Sequence, residues 1–437
     1  MKTIEIGLLG CGTVGQGTLR ILAEKASLLE SRLGARLVVR RVAVRDAQRA
    51  RGAALDPRVV TTDPHAVVDD PKVAVVVEVM GGIEPARRLI LRAIANGKAV
   101  VTANKALLAL HGAELYQAAG EAGVDLGFEA SVGGGIPLVR AIRDGLVASE
   151  AQALYGIING TSNYILTKMT DEEVPFAEVL AAAQARGYAE ADPTMDLEGI
   201  DAAHKLAVLV ALAFGHPVDF SRIYTEGISR ITPTDLRFAR QFGYRVKLLA
   251  IAKQDPDGAI EARVHPTMIP ADHPLAAVSG VFNALFVKGD TTGPVLLYGR
   301  GAGALPTGSA ILSDVVDIAR NLLVGASHRT TPLGYQMSAV TPRVVRPIDR
   351  VVSRYYFRFQ VVDRPGVLAR IAGVLGSHAV SIMSMVQEGR EEVAAVPIVM
   401  MTHEARESDV RAALDAIDRL DVVQEPALSI RVEDNLG

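Results

Sequence analysis

The stretch IEIGLLGCGTVGQG at residues 4–17 decides the fold. Ile4 to Leu9 is a short apolar run that reads as a strand. It passes into Gly10-Cys11-Gly12-Thr13-Val14-Gly15, a Gly-x-Gly-x-x-Gly pattern, and a helix is predicted from Val14 to about Glu30. The glycines permit a tight turn and a close backbone approach to a phosphate, whose charge meets the positive end of the helix. Gly10, Gly12, Thr13, Val14 and Gly15 are therefore the candidate contacts for a dinucleotide pyrophosphate. Cys11, the single cysteine, lies inside this loop as a small side chain and rules out an intrachain disulfide.

Moving outward, strands and helices alternate. Leu37 to Val44 reads as a second strand, ending in Arg45-Asp46. An acidic residue at that point binds a ribose 2′-hydroxyl, whereas an arginine accepts a 2′-phosphate. Both stand side by side, which leaves NAD and NADP open and tips the expectation towards NADP through Arg45. Lys72 to Val79 (KVAVVVEV) is a nearly continuous valine run, as in a parallel strand buried on both faces. A helix over Pro85 to Asn96, a strand over Ala99 to Thr102, a helix over Leu107 to Glu121 and a strand over Val124 to Glu129 follow. The expected class is α/β, with a doubly wound parallel sheet over residues 1–130.

Residues 131–303 read differently. Helices near Pro137 to Leu146, Thr161 to Met169, Ala177 to Arg186 and Glu198 to Phe214 mix with strands over Val246 to Lys253, Ile260 to Ile269 and Ala284 to Lys288. This predicts an α+β substrate and dimerisation domain with an open sheet. The amphipathic segment 304–325 is expected to return to the first domain and complete it. Residues 326–354, rich in Thr, Pro, Arg and Ser, read as a linker. Residues 355–432 follow a β-α-β-β-α-β order, the ferredoxin-like arrangement: strands Tyr355 to Val362, Ser381 to Gln387, Val393 to Met401 and Val422 to Val432, with helices Gly366 to His378 and Ser408 to Leu420.

Composition narrows the function classes. The chain has 437 residues, enough for two or three domains, and a net charge of −3 without a basic run. With no Trp and few aromatics it offers no stacking platform for nucleic acid. No apolar run approaches the roughly 20 residues that span a bilayer, and the N-terminus lacks the anatomy of a signal peptide. A cytoplasmic protein with no nucleic-acid or membrane partner is expected. The nine histidines show no metal-ligand spacing.

Two groups of residues carry chemistry. Thr102-Ala103-Asn104-Lys105 follows a strand directly, which aims Lys105 at the crevice where open α/β sheets bind ligands. In GYAEADPTMDLEGIDAAHKLAVLV, from residue 187, the acids Glu190, Asp196 and Asp201 precede a helix carrying Lys205. Asp201 and Lys205 are four apart and share one helical face. The helix is apolar on most sides, so Lys205 is expected to be partly buried and to need a partner, a setting suited to proton transfer. The plainer reading is a surface ion pair at a helix start.

VTANKALLA (101–109), EASVGGGIP (129–137), GIINGTSNYIL (156–166), GYAEADPTMDLEGIDAAHKLAVL (187–209) and YGRGAGALPTGSAILSDVVDIA (298–319) together resemble homoserine dehydrogenase, in that family's order, to about residue 325. The resemblance implies a Rossmann-like dinucleotide domain and reversible NAD(P)H-dependent reduction of L-aspartate 4-semialdehyde to L-homoserine, on the way to threonine, methionine and isoleucine. It implies Lys205 as proton donor to the aldehyde oxygen and Lys105 as a second active-site lysine near substrate and nicotinamide. Glu190 would bind the substrate ammonium, with Asp196 and Asp201 in the same or a supporting role. Thr102, Lys105, Asn159, Gly160, Thr161 and Gly301 join the cofactor contacts, with Gly303 beside them. Glu129, Val132, Gly134 and Ile136 match a monovalent-cation site, sodium for example, built from one carboxylate and backbone carbonyls. A glycine-rich turn with no ion is the alternative.

Asp363-Arg364-Pro365-Gly366-Val367-Leu368 resembles the start of an ACT domain, which implies amino-acid sensing, with threonine as effector, or oligomerisation alone. An open sheet seeking a partner implies a homodimer or homotetramer. Two other functions fit parts of the sequence: a different amino-acid or hydroxy-acid dehydrogenase on the same fold, and a non-catalytic amino-acid sensor. The sensor predicts that Lys105 or Lys205 is lost, and both are present.

Overall fold

Valine-rich runs bounded by glycine turns build the first sheet. Its strands are β1 (Lys2–Leu9), β2 (Ala35–Ala43), β3 (Val60–Thr61), β4 (Val75–Glu78), β5 (Ala99–Thr102) and β6 (Leu126–Gly127). They are parallel, in the order β3-β2-β1-β4-β5-β6. The order reverses between β1 and β4, so the carboxyl ends of those two strands flank the crevice where such sheets take ligands. Leu9 of β1 is level with Glu78 of β4 there. β4 is buried along its length, as its unbroken apolar run requires. The two-residue strand β3 carries too little pattern to be read from sequence.

The computed structural model describes residues 1–48, 55–255, 257–387 and 395–436. The chain divides into two units. The first comprises Met1–Gly160, Asp201–Ser221 and Phe282–Val344, the second Thr161–Ile200, Arg222–Val281 and Val345–Gly437.

In the first unit the expected single helix after Gly12 is two, Thr13–Glu24 and Ala26–Leu33. Lys25 leaves helical geometry at φ −115° and ψ 18°, and the second helix stops on left-handed Gly34. Helix Ala304–Val324 contributes Ala310, Ile311 and Val315 to the core formed by Ile6, Leu8, Val75 and Val101. Gly17 makes that packing possible, because a Cβ there would stand 2.1 Å from the Ala304 carbonyl oxygen. Strands Ala151–Ile157, Phe282–Gly289 and Gly293–Arg300 pair antiparallel. The first and last of these escaped the sequence reading, the last because Gly293, Pro294 and Gly299 mask a two-residue alternation of burial. The helix expected over Pro137 to Leu146 is a single α turn, Leu138–Arg140, that widens into a π turn, Ala141–Gly145.

In the second unit strands Tyr244–Gln254 and Ile260–Pro270 form a long antiparallel pair. Strand Val423–Val432 joins it in parallel through Thr267 opposite Arg431. Val352–Val361, Val396–Thr402 and Ile382–Gln387 follow in the sheet, all antiparallel. Helices Val367–Ser377 and Glu407–Ile417 cover the last four strands over Tyr355, Phe357, Ile371, Ile398, Val410 and Ile417. This is the ferredoxin-like order. The strand read from Val393 is described from Val396; Val393 and Ala394 lie outside the described residues. The segment read as a linker carries short 3₁₀ turns at Met337–Ala339 and Ile348–Arg350, and Arg346 N donates to the Ile260 carbonyl at 2.7 Å.

Candidate active site

Helix Ile200–Phe214 is almost wholly apolar and buried, so the polar residues near its start have no solvent to relax into. Lys205 is 8% exposed. Its Nζ donates to Asp201 Oδ2 at 2.6 Å and to the Ile158 carbonyl at 2.7 Å. The same Oδ2 accepts from Asn159 Nδ2 at 2.9 Å, while Lys105 Nζ stands 3.1 Å from Asp201 Oδ1. One carboxylate thus sits between two ammonium groups and a carboxamide. Burial alone pushes the Asp201 carboxyl up; the charges of Lys205 and Lys105 and the hydrogen bonds more than reverse this, holding it well below the usual carboxylate range. The triad carries a net positive charge, which suits an oxygen that becomes an alkoxide. His204, beside Lys205, is stacked on Phe220 at 4.5 Å, and burial depresses its imidazole, so it is a packed, neutral residue.

Lys105 owes its place to the helix it opens. Asn104 caps helix Lys105–Ala122, its side chain accepting from Leu107 N at 3.1 Å. The helix starts two residues before the predicted Leu107, so Lys105 is its first residue and not a loop lysine. Thr102, at the end of β5, donates from Oγ1 to Glu78 Oε2 at 2.6 Å. Glu78 is fully buried, and burial pushes its carboxyl up against the hydrogen bonds that hold it. The sequence reading passed over Glu78; its signal was a lone carboxylate closing a valine run.

The glycine loop has the geometry a pyrophosphate needs. Gly10 has φ +101°, and a Cβ on it would lie 2.7 Å from the Val79 carbonyl oxygen. Gly12 is the N-cap of helix Thr13–Glu24, and a Cβ there would meet nothing within 4 Å. Its openness leaves room for a ligand at the helix terminus, where Thr13, Val14 and Gly15 present backbone N–H groups. Within β2, Arg40 is engaged by Asp70 at 2.8 Å; after the strand, Arg45 and Asp46 are exposed, and Asp46 Oδ1 accepts from Gln48 N in a local turn.

Glu129 lies buried after β6. Its Oε1 and Oε2 accept from Val139 N at 2.8 Å and Arg140 N at 2.9 Å, so the carboxylate caps the Leu138–Arg140 turn. Each oxygen of the expected carboxylate ligand thus accepts one backbone hydrogen bond and keeps a further lone pair. The Ile136 carbonyl accepts from Leu138 N at 2.8 Å. Asp314 accepts from Glu129 N, and burial, with the nearby Asp314 charge, pushes the Glu129 carboxyl up to about 7. Gly134 touches Gly301: a Cβ on Gly134 would lie 2.5 Å from the Gly301 carbonyl. Next to Gly301, Asn283 is buried with neither amide atom hydrogen-bonded among the described residues. A buried unpaired amide beside these carbonyls fits a polar guest. No cluster of three His, Cys, Asp or Glu side chains forms a metal set among the described residues.

Glu190 and Asp196 belong to the second unit. Glu190 is exposed, its carbonyl held by Gln184 Nε2 at 3.1 Å. Asp196, in helix Thr194–Leu197, is half-buried, and its carbonyl accepts from Ser162 Oγ at 2.8 Å. Thr161 Oγ1 donates to the Tyr188 carbonyl at 2.8 Å, which ties the start of helix Gly160–Glu172 to the acidic segment.

The chain is similar to known proteins along its whole length. The profile described as homoserine dehydrogenase matches residues 137–316, that described as homoserine dehydrogenase, NAD binding domain matches residues 10–129, and the ACT domain profile matches residues 355–422. The homoserine dehydrogenase of Pseudomonas aeruginosa is 45% identical over 434 residues, covering 99% of each chain. A crystal structure of a homoserine dehydrogenase from Thiobacillus denitrificans is 48% identical, covers 100% of this chain and 99% of its own, and superposes with a TM-score of 0.91. A hyperthermophilic archaeal homoserine dehydrogenase in complex with NADPH is 27% identical, covers 72% of this chain and 97% of its own, and has a TM-score of 0.61.

Proposed function

This chain belongs to the homoserine dehydrogenase family, and from that premise we propose how its residues divide the work of the reaction. The enzyme is an NAD(P)-dependent oxidoreductase acting on the CH–OH group of homoserine, interconverting L-homoserine and L-aspartate 4-semialdehyde in amino-acid biosynthesis. No helix among the described residues is long and apolar enough to cross a membrane.

The nicotinamide dinucleotide supplies the hydride acceptor or donor when bound. Lys205 holds the proton that the substrate oxygen takes up on reduction and gives up on oxidation. Asp201 holds both lysines in place, Lys205 in the buried helix and Lys105 at its part-exposed edge, and Lys105 adds a second cation beside the developing alkoxide. Glu190 binds the substrate ammonium, with Asp196 in support. The observation that carries this reading is the Lys205–Asp201–Lys105 triad with Asn159 locked onto it.

Gly10, Gly12, Thr13, Val14 and Gly15 would hold the pyrophosphate, with Thr102, Asn159, Gly160, Thr161 and Gly301 towards the nicotinamide end. Arg45 would meet a 2′-phosphate, which favours NADP over NAD; the exposure of Arg45 and the engagement of Arg40 by Asp70 support this, as does the NADPH carried by the archaeal relative. A monovalent cation such as sodium would rest on the Glu129 carboxylate and the backbone carbonyls of Val132, Gly134 and Ile136. The ACT module is read as a threonine sensor, and strand Gly293–Arg300, with Leu296 and Tyr298 exposed, supports a homodimer or homotetramer in the cytoplasm.

The deciding experiment is homoserine-dependent reduction of NADP and NAD by wild type and Lys205→Ala, with dinucleotide binding measured alongside. Turnover lost in the variant with binding retained supports Lys205 as the proton-transfer residue. Turnover retained moves that role to Lys105 or water.

A further inference from the structure

Glu78 is a buried carboxylate at the carboxyl edge of the first sheet to which the reaction assigns no role. It closes β4, and its carboxylate is hydrogen-bonded to the loop that follows and to the end of β5. Oε1 accepts from Met80 N at 2.8 Å and Gly81 N at 3.2 Å; Oε2 accepts from Thr102 Oγ1 at 2.6 Å. Thr102 Oγ1 in turn accepts from Asn104 N at 3.0 Å, and Asn104 Nδ2 returns to the Gly82 carbonyl at 2.7 Å. The circuit is closed: the loop after β4 and the loop after β5 are joined at both ends. Gly81 and Gly82 take left-handed φ of +72° and +74°, the conformation that turns the first loop back over the carboxylate.

The last member of the circuit is the cap of Lys105. Asn104 fixes where helix Lys105–Ala122 begins, and Lys105 is the next residue, reaching Asp201 from that position. A side chain at the first position of a helix moves with its cap, and small misplacements of a reacting group are costly. We propose that Glu78 is a positioning residue for the dehydrogenase reaction, setting Lys105 through Thr102 and Asn104 without touching substrate. This rests on the reading of Lys105 given above. A purely architectural carboxylate would make the same bonds but would lower stability without coupling to Lys105.

The test is a double-mutant cycle on the full-length enzyme: wild type, Glu78→Gln, Lys105→Ala and the double variant. kcat and KM for homoserine, the dissociation constant for NADPH by fluorescence, and Tm are measured for each. The glutamine keeps the size of the side chain but has one acceptor oxygen where the carboxylate has two, so either the Thr102 hydroxyl or the Met80 and Gly81 N–H groups lose their acceptor and the circuit opens. Glu78→Gln is expected to lower kcat by about tenfold, with NADPH affinity within about twofold, and to add almost nothing in the Lys105→Ala background. Equal factors in both backgrounds, or a fall in Tm with unchanged kcat, would overturn the proposal. Should Glu78→Gln fail to fold, Thr102→Val and Thr102→Ser replace it: the valine, which lacks the hydroxyl, should have a kcat about tenfold below that of the serine variant, and equal kcat in the two would also overturn the proposal. If Lys105→Ala alone leaves turnover intact, the reading of Lys105 fails and Glu78 falls with it; multiplicative effects with an impaired Lys105→Ala sink Glu78 only.

Discussion

Lys205 Nζ and Asp201 Oδ2 lie 2.6 Å apart on successive turns of one buried helix, and the second carboxylate oxygen faces Lys105 at 3.1 Å. A single buried negative charge therefore serves two cations, Lys205 inside the fold and Lys105 at its part-exposed edge. Such a group is costly to remove, because its loss leaves buried charge uncompensated.

Asp201→Asn is accordingly expected to destabilise the protein by about 3 kcal/mol, measured by urea unfolding at neutral pH. The pH dependence follows from the sign of the shift. The folded carboxyl lies below its unfolded value, so its stabilisation is complete above about pH 4 and disappears as pH falls through the depressed folded value. The gap between wild type and variant should stay constant from pH 8 to pH 5 and close in more acidic solution. A gap that persists undiminished at the lowest pH where the protein folds would contradict the assignment.

The glycine loop offers a separation of two roles. Gly10→Ala meets both a positive φ and the Val79 carbonyl oxygen at 2.7 Å, so it should cost stability, about 1–3 kcal/mol, as well as cofactor affinity. Gly12→Ala meets nothing within 4 Å, so its Tm should match wild type. Its methyl group nevertheless projects where a pyrophosphate would approach, and NADPH affinity should fall at least about tenfold. Calorimetric Tm and NADPH titration on the two variants decide the matter. Unchanged affinity in Gly12→Ala would mean the ligand does not approach that edge of the loop.

What sequence could and could not reveal follows from the range of the forces involved. The glycine loop, the valine strands and the Asp201–Lys205 spacing are local patterns, and each survives in the structure within a few residues. The break at Lys25 leaves no mark in the apolar pattern, and strand Gly293–Arg300 is hidden by its glycines. Glu78 was missed because its partners, Thr102 and the backbone of Met80 and Gly81, meet it only when β4 and β5 lie side by side. The capping of a helical turn by Glu129 was hidden likewise: nothing local says that Val139 and Arg140 will turn their N–H groups towards it.

Arg45 should decide the cofactor phosphate. It is exposed immediately after β2, whereas Arg40 is held by Asp70 at 2.8 Å. Arg45→Ser should raise KM for NADP by about tenfold and leave KM for NAD within about twofold, the loss expected for one charge-assisted contact to a phosphate. Steady-state kinetics with both dinucleotides reads this directly. An equal rise for both would assign Arg45 a role in holding the loop and leave the 2′-phosphate without its proposed partner.

Glu129 gives a prediction of opposite sign to Asp201. Burial and the neighbouring Asp314 raise its folded value to about 7, above the ordinary carboxylate value of 4.5, and Asp314 is raised by burial as well. The protonated form is favoured in the fold, so this stabilisation is complete below about pH 4.5 and is lost as pH rises through about 7. Without a cation, wild type should lose on the order of 2–3 kcal/mol between pH 5 and pH 8, and Glu129→Gln should flatten most of that slope. A cation on the adjacent carbonyls would favour the charged carboxylates and offset the loss. Sodium should then raise Tm at pH 8 relative to an equal concentration of N-methylglucamine, with little difference at pH 5. A slope without any sodium effect would keep the buried carboxylate pair and remove the cation; no slope in either salt would mean that Glu129 is charged throughout, stabilised by its two backbone donors alone.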